Sequence, residues 1–166
     1  MIQLLILFFF VYLAALGAAA YFTRPGRRRM MGALAGGAAT GLSLPLLLAV
    51  AGAQGWWRCP FLATPGALLL ACLVFAVSYA AIALIGWRIA RRFGWRGIAC
   101  SLAAVCVIGP PRDYTIASRY PELMKFGPGV APIAGSAAVY FFTVALTLAV
   151  MRLIAGPAAK DPLART

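Results

Sequence analysis

The chain has 166 residues, 64% of them hydrophobic and 11% charged, with a mean hydropathy of +0.93. A soluble domain is nearer half apolar and about a quarter charged, so lipid must be the solvent for much of this chain. The net charge is +12, and there is no histidine, which excludes His-ligated zinc, bis-imidazole haem, and Ser-His or Cys-His catalysis.

The first apolar block covers residues 2–22. At about 1.5 Å per residue it spans roughly 30 Å, one hydrocarbon core. Ala18-Ala19-Ala20 resembles a signal-peptide cleavage site, but no positive charge precedes the block and Arg24, Arg27, Arg28 and Arg29 follow it. The expectation is a retained helix with its N-terminus outside and its arginine-rich end in the cytoplasm.

The second block covers 32–53, with Pro45 expected to kink it. Gly32 and Gly36 form one GxxxG spacing and Gly37 and Gly41 another. Small residues let helix backbones approach closely in lipid. These four glycines are the candidate packing face, either within the chain or against another subunit. The loop after it carries Trp56 and Trp57, which suit the membrane–water boundary.

The third block covers 67–87 and ends in a second basic cluster, Arg88, Arg91, Arg92 and Arg96. The fourth, 94–110, is short, and it reads either as a crossing or as a re-entrant or interfacial helix. The last block covers 130–155 and stops at Gly156-Pro157. The positive-inside count gives eleven cations inside against four outside for both five and four crossings. The prolines at 110 and 111 look like a helix exit and favour five. The fold class expected is an all-α, polytopic integral membrane bundle in a single domain. It has five transmembrane helices, or four plus a re-entrant or interfacial helix.

Residues 111–129 form the longest polar stretch and hold Asp113 and Glu122. Pro121 separates these two acids and reads as the first-turn proline of a short surface helix that stops at Gly127. No nucleophile with a base in reach is visible. The stretch is therefore expected to be a partner- or lipid-facing surface built from Arg112, Asp113, Tyr114, Arg119, Tyr120, Glu122 and Lys125. No catalytic, cofactor-binding or metal-ligating residue is expected, and no cofactor.

The four cysteines show no CxxC spacing. Buried free thiols are the default. Cys59 and Cys106 are the candidate disulfide pair if both approach an oxidising outer face. The polar residues within the blocks, Thr143 and Thr147 among them, are expected to be helix glue. No ionisable group lies near the centre of an apolar block, which argues against transport driven by a buried carboxylate.

The function expected from these observations is a non-catalytic subunit or accessory (assembly) component of a larger membrane complex. One alternative is a small transporter or channel that uses the Gly/Pro-rich second helix. Another is a membrane enzyme on lipid-linked substrates that uses the 112–125 segment. Expected partners are other membrane subunits or a second copy, with anionic lipids at the arginine clusters. Nucleic acid is not expected, since no basic stripe or recognition motif accompanies the charge. The expected location is the bacterial inner membrane, multi-pass, with the C-terminus in the cytoplasm.

Overall fold

The computed structural model describes residues 2–158. Lys160 and Arg165, counted above as inside cations, lie outside the described residues. Four α-helices dominate: α1 (Ile2–Thr23), α2 (Arg27–Ala53), α3 (Pro65–Arg119) and α4 (Ala131–Ala155). All four are long and apolar enough to cross a membrane, and their length and hydropathy mark a membrane-embedded protein. A short 3-10 turn (Pro60–Ala63) and two two-residue strands, β1 (Trp57–Arg58) and β2 (Lys125–Phe126), complete the described elements.

Four helices stand where five are expected, because the third and fourth blocks join into α3. Its single non-helical residue is Gly94, at φ 61° and ψ −149°. That backbone region is open essentially to glycine alone. Gly94 thus links helical segments 65–93 and 95–119. The two segments point to opposite ends of the bundle. Gly94 and Trp95 line a cavity with Arg29, Arg152 and Gly156. The far end of α3 returns to the β1 side, where Tyr120 meets Phe8 with ring centroids 6.4 Å apart.

Pro110 and Pro111 do not end the helix; both lie inside α3. The helix continues past them because Asp113 is tied to Ser136 and Tyr140 of α4, and Thr115 O–H donates to the Pro111 carbonyl at 2.9 Å. The short helix expected from Pro121 does not form either. Residues 121–123 make a turn, and Lys125 and Phe126 pair antiparallel with Arg58 and Trp57. Tertiary partners decide this segment. Phe126 stacks on Tyr114 at 3.9 Å and meets Trp57 edge-on at 5.9 Å, and Gly127 N–H donates to the Trp56 carbonyl at 2.8 Å.

Helix α2 sits between α3 and α4, and its two glycine pairs serve different neighbours. Gly32 and Gly36 lie against Met151 and Thr147 of α4, while Gly37 and Gly41 lie against Ala76, Ala80 and Cys72 of α3. A side chain at Gly36 would come within 2.5 Å of the Thr147 carbonyl, so the close approach requires its absence. Pro45 is accommodated inside α2. Helix α1 packs chiefly on α3.

The helices are also pinned by hydroxyls. Thr40, Thr143 and Thr147 are each fully buried. Thr143 spends its hydrogen on the Val139 carbonyl at 2.7 Å and so accepts from Tyr79 O–H, also at 2.7 Å. Thr147 donates to the Thr143 carbonyl at 2.9 Å and so accepts from Thr40 at 2.6 Å. Tyr79 thereby ties α3 to α4, and Thr40 ties α2 to α4.

The arginine-rich end is closed by a side-chain cap. Helix α2 begins at Arg27, five residues before the expected start, so Arg28 and Arg29 are helical. Arg29, 5% exposed, donates to the Gly156 carbonyl at 2.6 Å and the Pro157 carbonyl at 2.8 Å. Arg28 donates to the Ile154 carbonyl at 2.9 Å. These donors fill the orphan acceptors at the C-terminus of α4, where positive charge also suits the helix dipole. Trp87 lies between Arg29 and Arg91, whose guanidinium carbons stand 5.6 and 5.2 Å from its ring centroid.

Candidate functional site

The segment 95–119 carries Arg112 and Asp113 into the bundle two turns before α3 ends. There they meet one face of α4. Asp113 Oδ1 accepts from Arg112 Nη2 at 2.9 Å, Arg112 Nε at 3.3 Å and Tyr140 O–H at 2.8 Å. Asp113 Oδ2 accepts from Ser136 O–H at 3.3 Å. Arg112 Nη2 also donates to Tyr140 Oη at 2.5 Å, and its guanidinium lies 5.6 Å from the Tyr140 ring centroid. Gly109, one turn before Asp113, leaves the room that the Tyr140 ring occupies.

This cluster forms one wall of a cavity of about 350 Å³ at the centre of the bundle. Every helix contributes to the lining. Tyr12 comes from α1, Leu44 and Leu48 from α2, and Tyr79, Ile82 and Ile85 from the first segment of α3. Trp57, Met124 and Phe126 close the end nearest the strand pair. Most of the wall is apolar, and Arg112, Asp113, Ser136 and Tyr140 gather their polar groups into one hydrogen-bonded cluster. This combination of apolar walls and a few placed polar groups characterises ligand pockets, which run about 300–1,000 Å³.

Two donors at the cavity are unspent. Trp57 is 2% exposed and lines the cavity, and its Nε1–H is the one buried side-chain donor without a partner among the described residues. Arg112 makes its hydrogen bonds through Nε and Nη2, and its side chain is 51% exposed, against 18% for Asp113. An unsatisfied buried donor costs about 1–3 kcal/mol, so the Trp57 indole is left waiting for an acceptor.

The seven residues expected to form one outward surface divide between several environments. Asp113 turns into the cavity, while Arg112 lines it with its side chain still 51% exposed. Tyr114 stacks on Phe126, and Tyr120 packs half-buried on Phe8. Arg119, Glu122 and Lys125 remain exposed. The expected disulfide is absent: Cys59 and Cys106 are both free thiols. Cys59 packs among the buried residues around Trp57 and Phe61, while Cys106 sits on α3. Burial, with a smaller push from the Asp113 charge, raises the Cys59 thiol to about 12, which leaves it protonated at neutral pH.

The sequence reading missed Ser136, Tyr140, Tyr79, Tyr12 and Trp57 as site residues. One signal was available: Ser136, Tyr140, Thr143 and Thr147 recur at spacings of four, three and four, a polar stripe on one face of a helix.

No group of three or more candidate metal ligands occurs among the described residues. Comparison with protein-family models, with curated proteins and with solved structures finds no match for this chain.

Proposed function

We propose that the protein is a small multi-pass membrane protein that binds an amphiphile inside its helix bundle, as a transporter or lipid-handling protein does. One observation carries this reading: a cavity lined by every helix, mostly apolar, with one hydrogen-bonded polar cluster in its wall. A carboxylate such as Asp113, 18% exposed between apolar walls, is costly to hold there and calls for a functional reason. The glycine faces on which a subunit role leaned are occupied within the chain, by α3 and α4. The topology that goes with this reading has five crossings, with the two segments of α3 crossing separately and the arginine-rich end in the cytoplasm of a bacterial-type inner membrane. The turn at Gly94 beside Arg29 and Gly156 supports it, as does the return of α3 to the Trp57 end.

Native mass spectrometry of the protein released from mild detergent tests the reading. The wild type retains a small amphiphile, and Ile82→Trp, which fills the apolar wall, loses it without lowering the unfolding temperature. Retention of a stoichiometric second polypeptide and no amphiphile would return the assignment to a complex subunit. For the topology, a membrane-impermeant thiol reagent labels Ser118→Cys from outside the cell, in a background with the four native cysteines replaced by alanine. Labelling only after the membrane is opened would remove the fifth crossing.

A further inference from the structure

We infer that the amphiphile's headgroup is an anion that only accepts hydrogen bonds, a phosphate or carboxylate, and that it is carried on an apolar chain. The inference rests on the amphiphile reading above and adds the chemistry of the ligand. Asp113 is already engaged by donors on both oxygens, from Arg112, Tyr140 and Ser136. Its Oδ2 accepts only from Ser136, at 3.3 Å, but the Arg112 charge beside it opposes a cationic headgroup. Two donors around the cavity remain uncommitted: the Trp57 Nε1–H, buried and without a partner, and Nη1 of Arg112. A guanidinium with an open edge is suited to a planar or tetrahedral oxyanion. A headgroup that satisfied both donors would also remove the desolvation cost of the orphan indole.

The strand pair closes the cavity's end with its apolar register pair: Trp57 and Phe126 both line it, while Arg58 and Lys125, the other register pair, lie on the opposite, exposed face. The apolar chain then runs along Leu44, Leu48, Ile82 and Ile85.

The test uses the whole chain in dodecyl maltoside, titrated with dodecyl phosphate, laurate, dodecyltrimethylammonium or inorganic phosphate, with binding read by calorimetry and native mass spectrometry. Both anionic amphiphiles bind, and dodecyltrimethylammonium binds at least about tenfold more weakly. Arg112→Gln weakens the anions about tenfold or more, the scale of a charge-assisted hydrogen bond. Trp57→Phe, which deletes the donor along with the indole's second ring, weakens them about two- to tenfold and leaves the cationic amphiphile unchanged, a split that lost packing alone would not give. Equal binding of the cationic amphiphile, or anion affinities untouched by both substitutions, overturns the headgroup assignment while the amphiphile reading stands. Inorganic phosphate binding as tightly as dodecyl phosphate overturns the chain and leaves a soluble anion. Failure of every amphiphile to bind sinks the underlying reading itself.

Discussion

Gly37→Ala isolates the steric logic of the bundle. A Cβ at Gly37 would run into the Ala76 carbonyl and lie 2.9 Å from the Ala80 nitrogen and 3.0 Å from the Ala80 Cβ. The first two are backbone atoms of a neighbouring helix, so no rotamer change relieves the clash and α2 must move away from α3. Overpacking of this kind costs about 1–3 kcal/mol. The same substitution gains up to about 1 kcal/mol of helix propensity. Gly17→Ala in α1 serves as the control, because nothing lies within 4 Å of its added carbon and only the propensity gain applies. At about 2–4 °C per kcal/mol for a chain of this size, Gly37→Ala should unfold about 2–12 °C below Gly17→Ala. Thermal unfolding in detergent, followed by helical circular dichroism, reads the difference. If Gly37→Ala proves as stable as Gly17→Ala, the close approach of α2 and α3 at this glycine is wrong, and with it the pairing that sets the cavity's walls.

Three further outcomes follow from the same geometry. Gly94→Ala should destabilise the protein by about 1–3 kcal/mol although its site is open, because φ 61° and ψ −149° strain any residue with a Cβ; unfolding temperature reads it, and a neutral result would deny the sharp break in α3. Arg29→Leu removes both donors from the Gly156 and Pro157 carbonyls and should cost about 1–3 kcal/mol. Arg29→Lys should recover little of that loss, since an ammonium cannot present the two-pronged fork, and the Trp87 environment should change in near-UV circular dichroism. Cys59, with its thiol raised from 9.0 to about 12, should alkylate far more slowly at pH 8 than the same thiol in denaturant. Its folded-state value lies above its unfolded one, so its contribution to stability is complete below pH 9.0 and is lost as pH rises toward 12. Fast alkylation of folded protein at pH 8 would show that the site is open.

Much of the fold is legible in one dimension. Block length and hydropathy locate α1, α2 and α4 to within a few residues, because a helix that must satisfy its own backbone in lipid is a local structure. The GxxxG spacings identify the face of α2 that approaches its neighbours, because small residues act through their own size. The surface segment was misjudged for the opposite reason. Pro110-Pro111 and Pro121 carry strong local signals, yet the first pair lies within a helix and the other opens a turn that leads into a strand. Pairing with Trp57 and Arg58, and stacking of Tyr114 on Phe126, come from residues far apart in the chain.

Composition and periodicity by themselves determined that this chain is apolar enough for a membrane, that helices carry it, and that most of its arginines cluster at the ends of apolar blocks, since each of these depends on residues acting singly or over one turn. Only the tertiary structure decided that Asp113 turns inward, with Arg112 beside it bridging the cavity wall and the surface. That outcome needs Tyr140 and Ser136 at the right height on α4, Gly109 to make room for the tyrosine ring, and Trp57 brought across from another loop with its indole N–H unspent. A charged pair is drawn into a bundle only where partners from other helices satisfy it, and no local pattern in the chain states which partners will be there.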